Sequence, residues 1–411
     1  MKLSFDEKLA NFAELSIKVG LNLQKGQRLL IRAPVETAEF VRELVAVAYK
    51  AGSPLVEIAW SDDSVELARF NYAMPSSFDY FSTIERDAIA DVIDAGGAIF
   101  KVYASDPELL KNVDSDKLTK LRTMYQQGFR EVSGRLAASE ASWALVSVPI
   151  ASWASKVFPD LEAEQQMSRL WDAIFKATRS DLADPVGAWN KHLEDLEKRR
   201  EYLTVKNYEA LKYSSPNTDL TVGLADEHMW LGGYQANKDG IVYVANLPTE
   251  EVFTMPHKDK VDGVVSSTLP LSYSGQLIDD FKLEFKDGKV IKATARRGEE
   301  ALHKLLETDE GSSRLGEVAL VPNSSPISQS KILFYNTLFD ENASSHFALG
   351  RAYAFTARGG TEMSPEELAE IGFNDSLNHV DFMVGSDKMD VDGITKDGKA
   401  EPIMRAGEWV F

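Results

Sequence analysis

Phe5, Leu9, Phe12 and Leu15 recur at helical spacing, so the chain is expected to open with an amphipathic helix. The pattern then changes. Short apolar runs appear at RLLIRA (Arg28 to Ala33), PLVEIAW (Pro54 to Trp60), GAIFKVYA (Gly97 to Ala104) and WALVSVPI (Trp143 to Ile150). Longer segments separate them. ETAEFVRELVAVAYKAG, for example, has helical spacing and a glycine stop at Gly52. Strands alternating with helices predict an α/β domain with a largely parallel, covered sheet. Residues 168–212 are rich in charge and read as a solvated connecting helix. The stretch SSPNTD (Ser214 to Asp219) is expected to mark a domain boundary, giving units 1–213 and 214–411.

Beyond it the periodicity is that of short strands: TDLTVGL, GIVYVANLP and VVSSTLPLSYSG. FKLEFKDGKVIKATA reads as a hairpin, with Phe281, Leu283 and Phe285 alternating with charged residues before Asp287-Gly288. VDGITKDGKAEPIM reads as another, and residues 298–308 as a helix. The second half is therefore expected to be an α+β domain built on a mainly antiparallel sheet.

Length and composition narrow the function. A chain of 411 residues exceeds what one core usually serves. A formal charge of -19 argues against binding nucleic acid or an anionic membrane. No stretch reads as a signal peptide or a membrane span, so a soluble cytoplasmic protein is expected. With no cysteine, a metal would have to be held by oxygen and imidazole nitrogen. Neither GxGxxG nor GxxxxGK[ST] occurs, so nothing marks a nucleotide site.

Of six histidines, His192 and His303 lie in charged helices, and His228 and His257 have no acid at an obvious ligand spacing. The other two differ. His379 and Asp381 are two apart in LNHVDFMVGS, so on a strand they project from one face. That is two legs of a metal site or a surface ion pair. NLPTEEVFT sets Glu250 and Glu251 after a strand and a proline turn, which suits catalytic carboxylates or an acidic loop. Glu317 interrupts the apolar run RLGEVALVP, where a carboxylate is costly unless paired or coordinated. In FDENASSHFALGRAY, Glu341 and His346 are five apart, so only a bend would bring them together. Tyr353 follows as a possible oxyanion donor. Glu250, Glu317, Glu341, His346, His379 and Asp381 are six oxygen and nitrogen donors, which exceed the needs of one ion and suit a two-metal site.

At these positions the sequence resembles a known family. NLPTEEVFT, LFDENASSHFALGRAY, HVDFMVGS and the opening LANFAELSIKVGLNLQKGQ are similar to signature blocks of the metallo-aminopeptidases related to aminopeptidases T and S. The resemblance spans nearly the whole chain. It implies a two-domain, homodimeric, cytoplasmic exopeptidase acting on peptides with a free N-terminus. It also implies two divalent ions (cobalt, zinc, manganese or magnesium). The implied ligands are Glu250, Glu317, His346, His379 and Asp381, with Glu341 also at the metals. Tyr353 matches an active-site tyrosine, and Glu251 is the candidate proton shuttle. Another metal-dependent amidohydrolase or a carboxypeptidase, with Arg351 meeting a terminal carboxylate, stays open. So does a non-catalytic peptide- or metal-binding protein.

Overall fold

The computed structural model describes residues 3–273 and 276–411; Met1, Lys2 and the last two residues of the expected strand region 264–275 lie outside the described residues. The chain forms two compact units, residues 1–193 with 234–248 and residues 194–233 with 249–411.

The first unit is built on a five-stranded parallel sheet. Its order is Val56–Ser61, Leu29–Pro34, Ala98–Tyr103, Ser142–Ser147, Asn246–Leu247. Helices connect the strands, because parallel neighbours need long crossovers. The apolar runs become the sheet core, with Leu29, Ile31, Phe100 and Val146 inaccessible to water. The opening helix, Phe5–Leu15, starts at a capping box between Ser4 and Glu7. It buries Leu9, Phe12 and Leu15, and Phe12 stacks 4.9 Å from Phe40 of the helix Ala38–Lys50. Burying an aromatic side chain of that size contributes about 1.5–3 kcal/mol.

Residues 168–212 are not one solvated helix. They lie in helices Ala163–Ala177 and Pro185–Lys206 and in the start of the strand Ala210–Ser215. Trp189, Leu193, Leu196 and Leu203 are fully buried, a helical stripe that the surrounding charges mask in the composition. SSPNTD is the turn of a hairpin, with Ser215 of Ala210–Ser215 opposite Thr218 of Thr218–Leu224. Proline and asparagine mark linkers and tight turns alike, so local sequence does not separate the two.

The second unit contains two antiparallel sheets. The larger has nine strands and includes the hairpins expected around Asp287-Gly288 and near the chain end. The smaller has the order Val252–Thr254, Leu315–Leu320, His346–Gly350, His379–Met383. Aromatic side chains join them. Phe347 meets Tyr213 edge-on at 4.8 Å, and Phe382 lies 5.5 Å from Phe281. That apolar packing covers one face of the small sheet. The opposite face carries the charged residues.

Candidate metal centre

Strand periodicity and register assemble the site. On the small sheet, Glu317 pairs with Ala348, and Ala348 pairs with Asp381. Gly350 pairs with His379, and His346 pairs with Met383. Side chains two apart share a face, so His346, Ala348 and Gly350 line the middle of the face that bears Glu317, His379 and Asp381. Ala348 and Gly350 leave the middle hollow. Gly350 could not be replaced without strain: its φ is 103°, and a Cβ there would lie 2.2 Å from the Asn378 carbonyl oxygen. A register shift between Leu315 and Glu317 sets Glu317 opposite Ala348.

The donors form two groups that share Glu317. In each, one donor atom per residue lies within 4.8 Å of the others: Glu251, Glu317 and His346, then Glu317, His379 and Asp381. His346 Nε2 is 3.3 Å from Glu251 Oε2 and 3.5 Å from Glu317 Oε1. His379 Nε2 is 3.3 Å from Asp381 Oδ1 and 3.8 Å from Glu317 Oε2. Each imidazole is oriented from behind. Nδ1 of His346 sits 3.1 Å from the Ser344 carbonyl, and Nδ1 of His379 sits 2.7 Å from the Arg351 carbonyl. A proton on Nδ1 leaves the Nε2 lone pair facing the carboxylates, the orientation metal-binding histidines adopt.

The electrostatics are those of a crowded anionic hollow. Burial pushes the Glu251 carboxyl up to about 8. Burial opposes charging of both imidazoles, but the adjacent carboxylates outweigh it, raising His346 to about 10 and His379 to about 9. Burial likewise opposes ionisation of Asp381, but the neighbouring imidazoles hold its carboxyl below the usual range. Glu251 Oε2 and Asp381 Oδ1 are buried with no partner beyond the imidazole Nε2 atoms 3.3 Å away. Leaving buried acceptors unsatisfied is costly. Orphaned carboxylate oxygens beside imidazole nitrogens, with no thiol, fit divalent cations.

From sequence, Glu250 is expected as a ligand and Glu251 as the proton shuttle. Glu251 faces the cluster, while Glu250 belongs to neither group. Neighbours in an extended chain point to opposite sides, and sequence alone does not give the parity. The Glu250 amide donates to Asn342 Oδ1 at 2.7 Å, and Asn342 Nδ2 donates to the Leu338 carbonyl at 3.0 Å. Asn342, fully buried, thus pins the Glu250-Glu251 segment, a role that sequence reading missed. Nothing in DENASS distinguishes it from a turn residue.

Glu341 also lies outside both groups. The bend between it and His346 exists: a single turn, Glu341–Ala343, precedes the strand that begins at His346. Glu341 lines a cleft of about 270 Å³ together with His379 and Asp381. Burial and the nearby Glu251 and Asp381 hold its carboxyl well above the carboxylate range. The Tyr353 ring lies 4.5 Å from the His379 ring and stacks on Phe355 at 5.0 Å. Burial and the cluster's carboxylates raise its phenol, keeping it protonated. Arg351 is exposed, with Nε 3.7 Å from Asp375, and does not line the cleft. His228 is buried, its Nδ1 2.7 Å from the Ala225 carbonyl, away from both donor groups.

Known proteins match this chain over its full length. Aminopeptidase AmpS of Bacillus subtilis (strain 168) is 46% identical over 408 residues, spanning 99% of this chain and all of that one. Aminopeptidase 2 of Geobacillus stearothermophilus is 44% identical over 407 residues, spanning 99% and 98%. The solved structure of wild-type AmpT from Thermus thermophilus superposes with a TM-score of 0.94 at 40% identity, covering 99% of this chain and 100% of that one. Residues 5–409 match the sequence profile of one family throughout, and this chain belongs to it: the thermophilic metalloproteases (M29).

Proposed function

We infer that this chain is a metal-dependent aminopeptidase, that its buried cluster takes two divalent ions, and that Glu317 serves both. The observation that carries this reading is the meeting of two oxygen–nitrogen donor groups at Glu317 on one sheet face. Full-length similarity to named aminopeptidases supports the peptide substrate. Glu251, Glu317 and His346 would hold one ion, and Glu317, His379 and Asp381 the other. Such donors suit zinc, cobalt, manganese or magnesium. When bound, ions of this kind lower the pKa of a water to about 7 and polarise the scissile carbonyl.

The chain's own groups supply the rest. Glu341 stands at the cleft beside the cluster and carries the proton to the leaving amine. This replaces Glu251, which the geometry favours as a ligand. Tyr353 donates a hydrogen bond to the developing oxyanion. The cleft's acids meet the substrate's α-ammonium group. No lysine or arginine lines the cleft among the described residues, and Arg351 faces Asp375. A terminal carboxylate would find no lysine or arginine there, which favours an aminopeptidase over a carboxypeptidase. We further propose a cytoplasmic homodimer, for which light scattering should give about twice 45.6 kDa.

The test is an aminoacyl chromogenic amide and its N-acetyl analogue, each with and without chelator. The free amine substrate alone should be cleaved, chelator should abolish cleavage, and added divalent ion should restore it. Chelator-resistant turnover, or equal turnover of the blocked amide, would contradict the reading.

A further inference from the structure

His379 takes the partner of its Nδ1 from another strand: the Arg351 carbonyl, 2.7 Å away and one residue past His346–Gly350. His346 takes its partner from its own chain two residues earlier, the Ser344 carbonyl. The orientation of His379 therefore depends on long-range packing. That packing is built by side chains outside both donor groups.

Arg351 is held from several sides. Its amide donates to the Asn378 carbonyl at 2.6 Å. Asn374, buried, donates from Nδ2 to the Gly350 carbonyl at 2.5 Å, and its own carbonyl accepts the Ala352 amide at 2.9 Å. Gly316, of the strand Leu315–Leu320, comes so close that a Cβ there would lie 2.4 Å from the Arg351 carbonyl oxygen. The carbonyl that orients His379 is left little room to move.

Asp309 ties down the segment that does the holding. Its carboxylate accepts four hydrogen bonds: the Ser312 amide at 2.8 Å, the Ser312 hydroxyl at 2.7 Å, the Ser376 hydroxyl at 2.8 Å and the Leu377 amide at 2.6 Å. Both hydroxyls in turn accept from Asn378. The Asn378 amide donates to Ser376 Oγ at 3.1 Å, and Asn378 Nδ2 donates to Ser312 Oγ at 3.1 Å. A carboxylate only accepts, so it draws each hydroxyl hydrogen to itself and leaves the lone pairs to Asn378. Burial opposes ionisation of Asp309, but the donors from Leu377, Ser312 and Ser376 outweigh it and hold its carboxyl below the usual range. A connected network whose members are all satisfied fixes one arrangement.

We propose that Asp309 is a positioning residue for one of the two metal positions, the one formed by Glu317, His379 and Asp381. It braces Asn378 through Ser312 and Ser376, Asn378 holds Arg351, and the Arg351 carbonyl aims the His379 ring. The proposal rests on the two-ion reading. The position formed by Glu251, Glu317 and His346 does not depend on this brace, because His346 is oriented by Ser344.

The experiment compares the wild type with Asp309→Asn, which leaves one of the four donors without an acceptor, and with Ser312→Ala, which deletes one hydroxyl. Crystals equilibrated at graded manganese concentrations report the occupancy of each position by anomalous scattering. In both variants the position at His379 should need about 10- to 100-fold more manganese, the usual cost of losing a group that supports a metal ligand. The position at His346 should fill as in the wild type. Ser312→Ala serves if Asp309→Asn fails to fold. Equal weakening of both positions in a folded variant, or of neither, would overturn the proposal. A second measurement needs no metal. In metal-free protein the Nδ1–H proton resonance of His379 should shift and broaden in both variants, while that of His346 stays in place. A His379 resonance that does not move would overturn the proposal. If the wild type fills fewer than two positions, the two-ion reading falls, and the His379 resonance decides the role of Asp309 by itself.

Discussion

Glu317→Gln removes one charge, nearly preserves shape, and acts at the one residue both donor groups share. In the metal-free protein its effect on folding should be small. The imidazoles, raised to about 10 and about 9, are charged at neutral pH and lie 3.5 and 3.8 Å from the two Glu317 oxygens. With an effective dielectric of about 20, each attraction is about 4–5 kcal/mol. Asp381, with an oxygen within 4.8 Å, repels by about 3.5 kcal/mol, while Glu251, pushed up to about 8, is largely protonated at neutral pH and adds little. Attraction exceeds repulsion by about 5–6 kcal/mol, and the cost of burying the Glu317 charge offsets much of it. The metal-free variant should therefore melt slightly below the metal-free wild type. With divalent ion the difference should widen, because the wild type gains about 2.7 kcal/mol at a hundredfold excess over Kd and the variant binds less. Turnover should fall at least about 100-fold, since replacing groups that only support metal ligands already costs 10- to 100-fold. That fall is about 2.7 kcal/mol in the barrier. The assay is metal content after gel filtration, melting with and without manganese, and kcat/KM. Normal metal content with near-normal turnover would refute the shared role.

Three further outcomes follow from the same geometry. Glu251→Gln should lower metal content and turnover together, whereas Glu250→Gln should leave metal content near that of the wild type; the reverse result in elemental analysis would restore the order expected from sequence. Tyr353→Phe should keep metal content and fold while losing about 100- to 1,000-fold in turnover, the usual cost of one oxyanion donor, and wild-type turnover would remove the phenol from the chemistry. Burial depresses the pKa of His228 below its ordinary 6.5. As pH falls through that value the unfolded chain takes up a proton that the folded chain resists, so the stability contribution is intact above it and declines below it. A His228→Gln chain should lose less stability than wild type between about pH 7 and about pH 5, measured by urea midpoints, and equal losses would show that His228 does not contribute.

Much of the fold was legible because it is written in local periodicity. The apolar runs ending at Ala33, Trp60, Ala104 and Ile150 became the parallel strands, and Asp287-Gly288 turned its hairpin as alternation predicted. SSPNTD failed because its residues favour tight turns and linkers for the same conformational reason. The helix with Trp189 and Leu196 failed because its charges outnumber its buried stripe. At the site, the i, i+2 spacing of His379 and Asp381 was enough to put them together. Long-range register was not legible: nothing local announces that a shift at Gly316 sets Glu317 opposite Ala348, or that Asn342 pins the chain so that Glu251 rather than Glu250 faces inward.

The central claim is that one carboxylate joins two metal positions. Crystals grown with manganese and measured for anomalous scattering test it most directly. The account predicts two peaks per chain, about 3.5–4 Å apart. One should lie among Glu251, Glu317 and His346, the other among Glu317, His379 and Asp381, with the Glu317 carboxylate touching both. A single peak at saturating metal, or peaks without Glu317 between them, would contradict it.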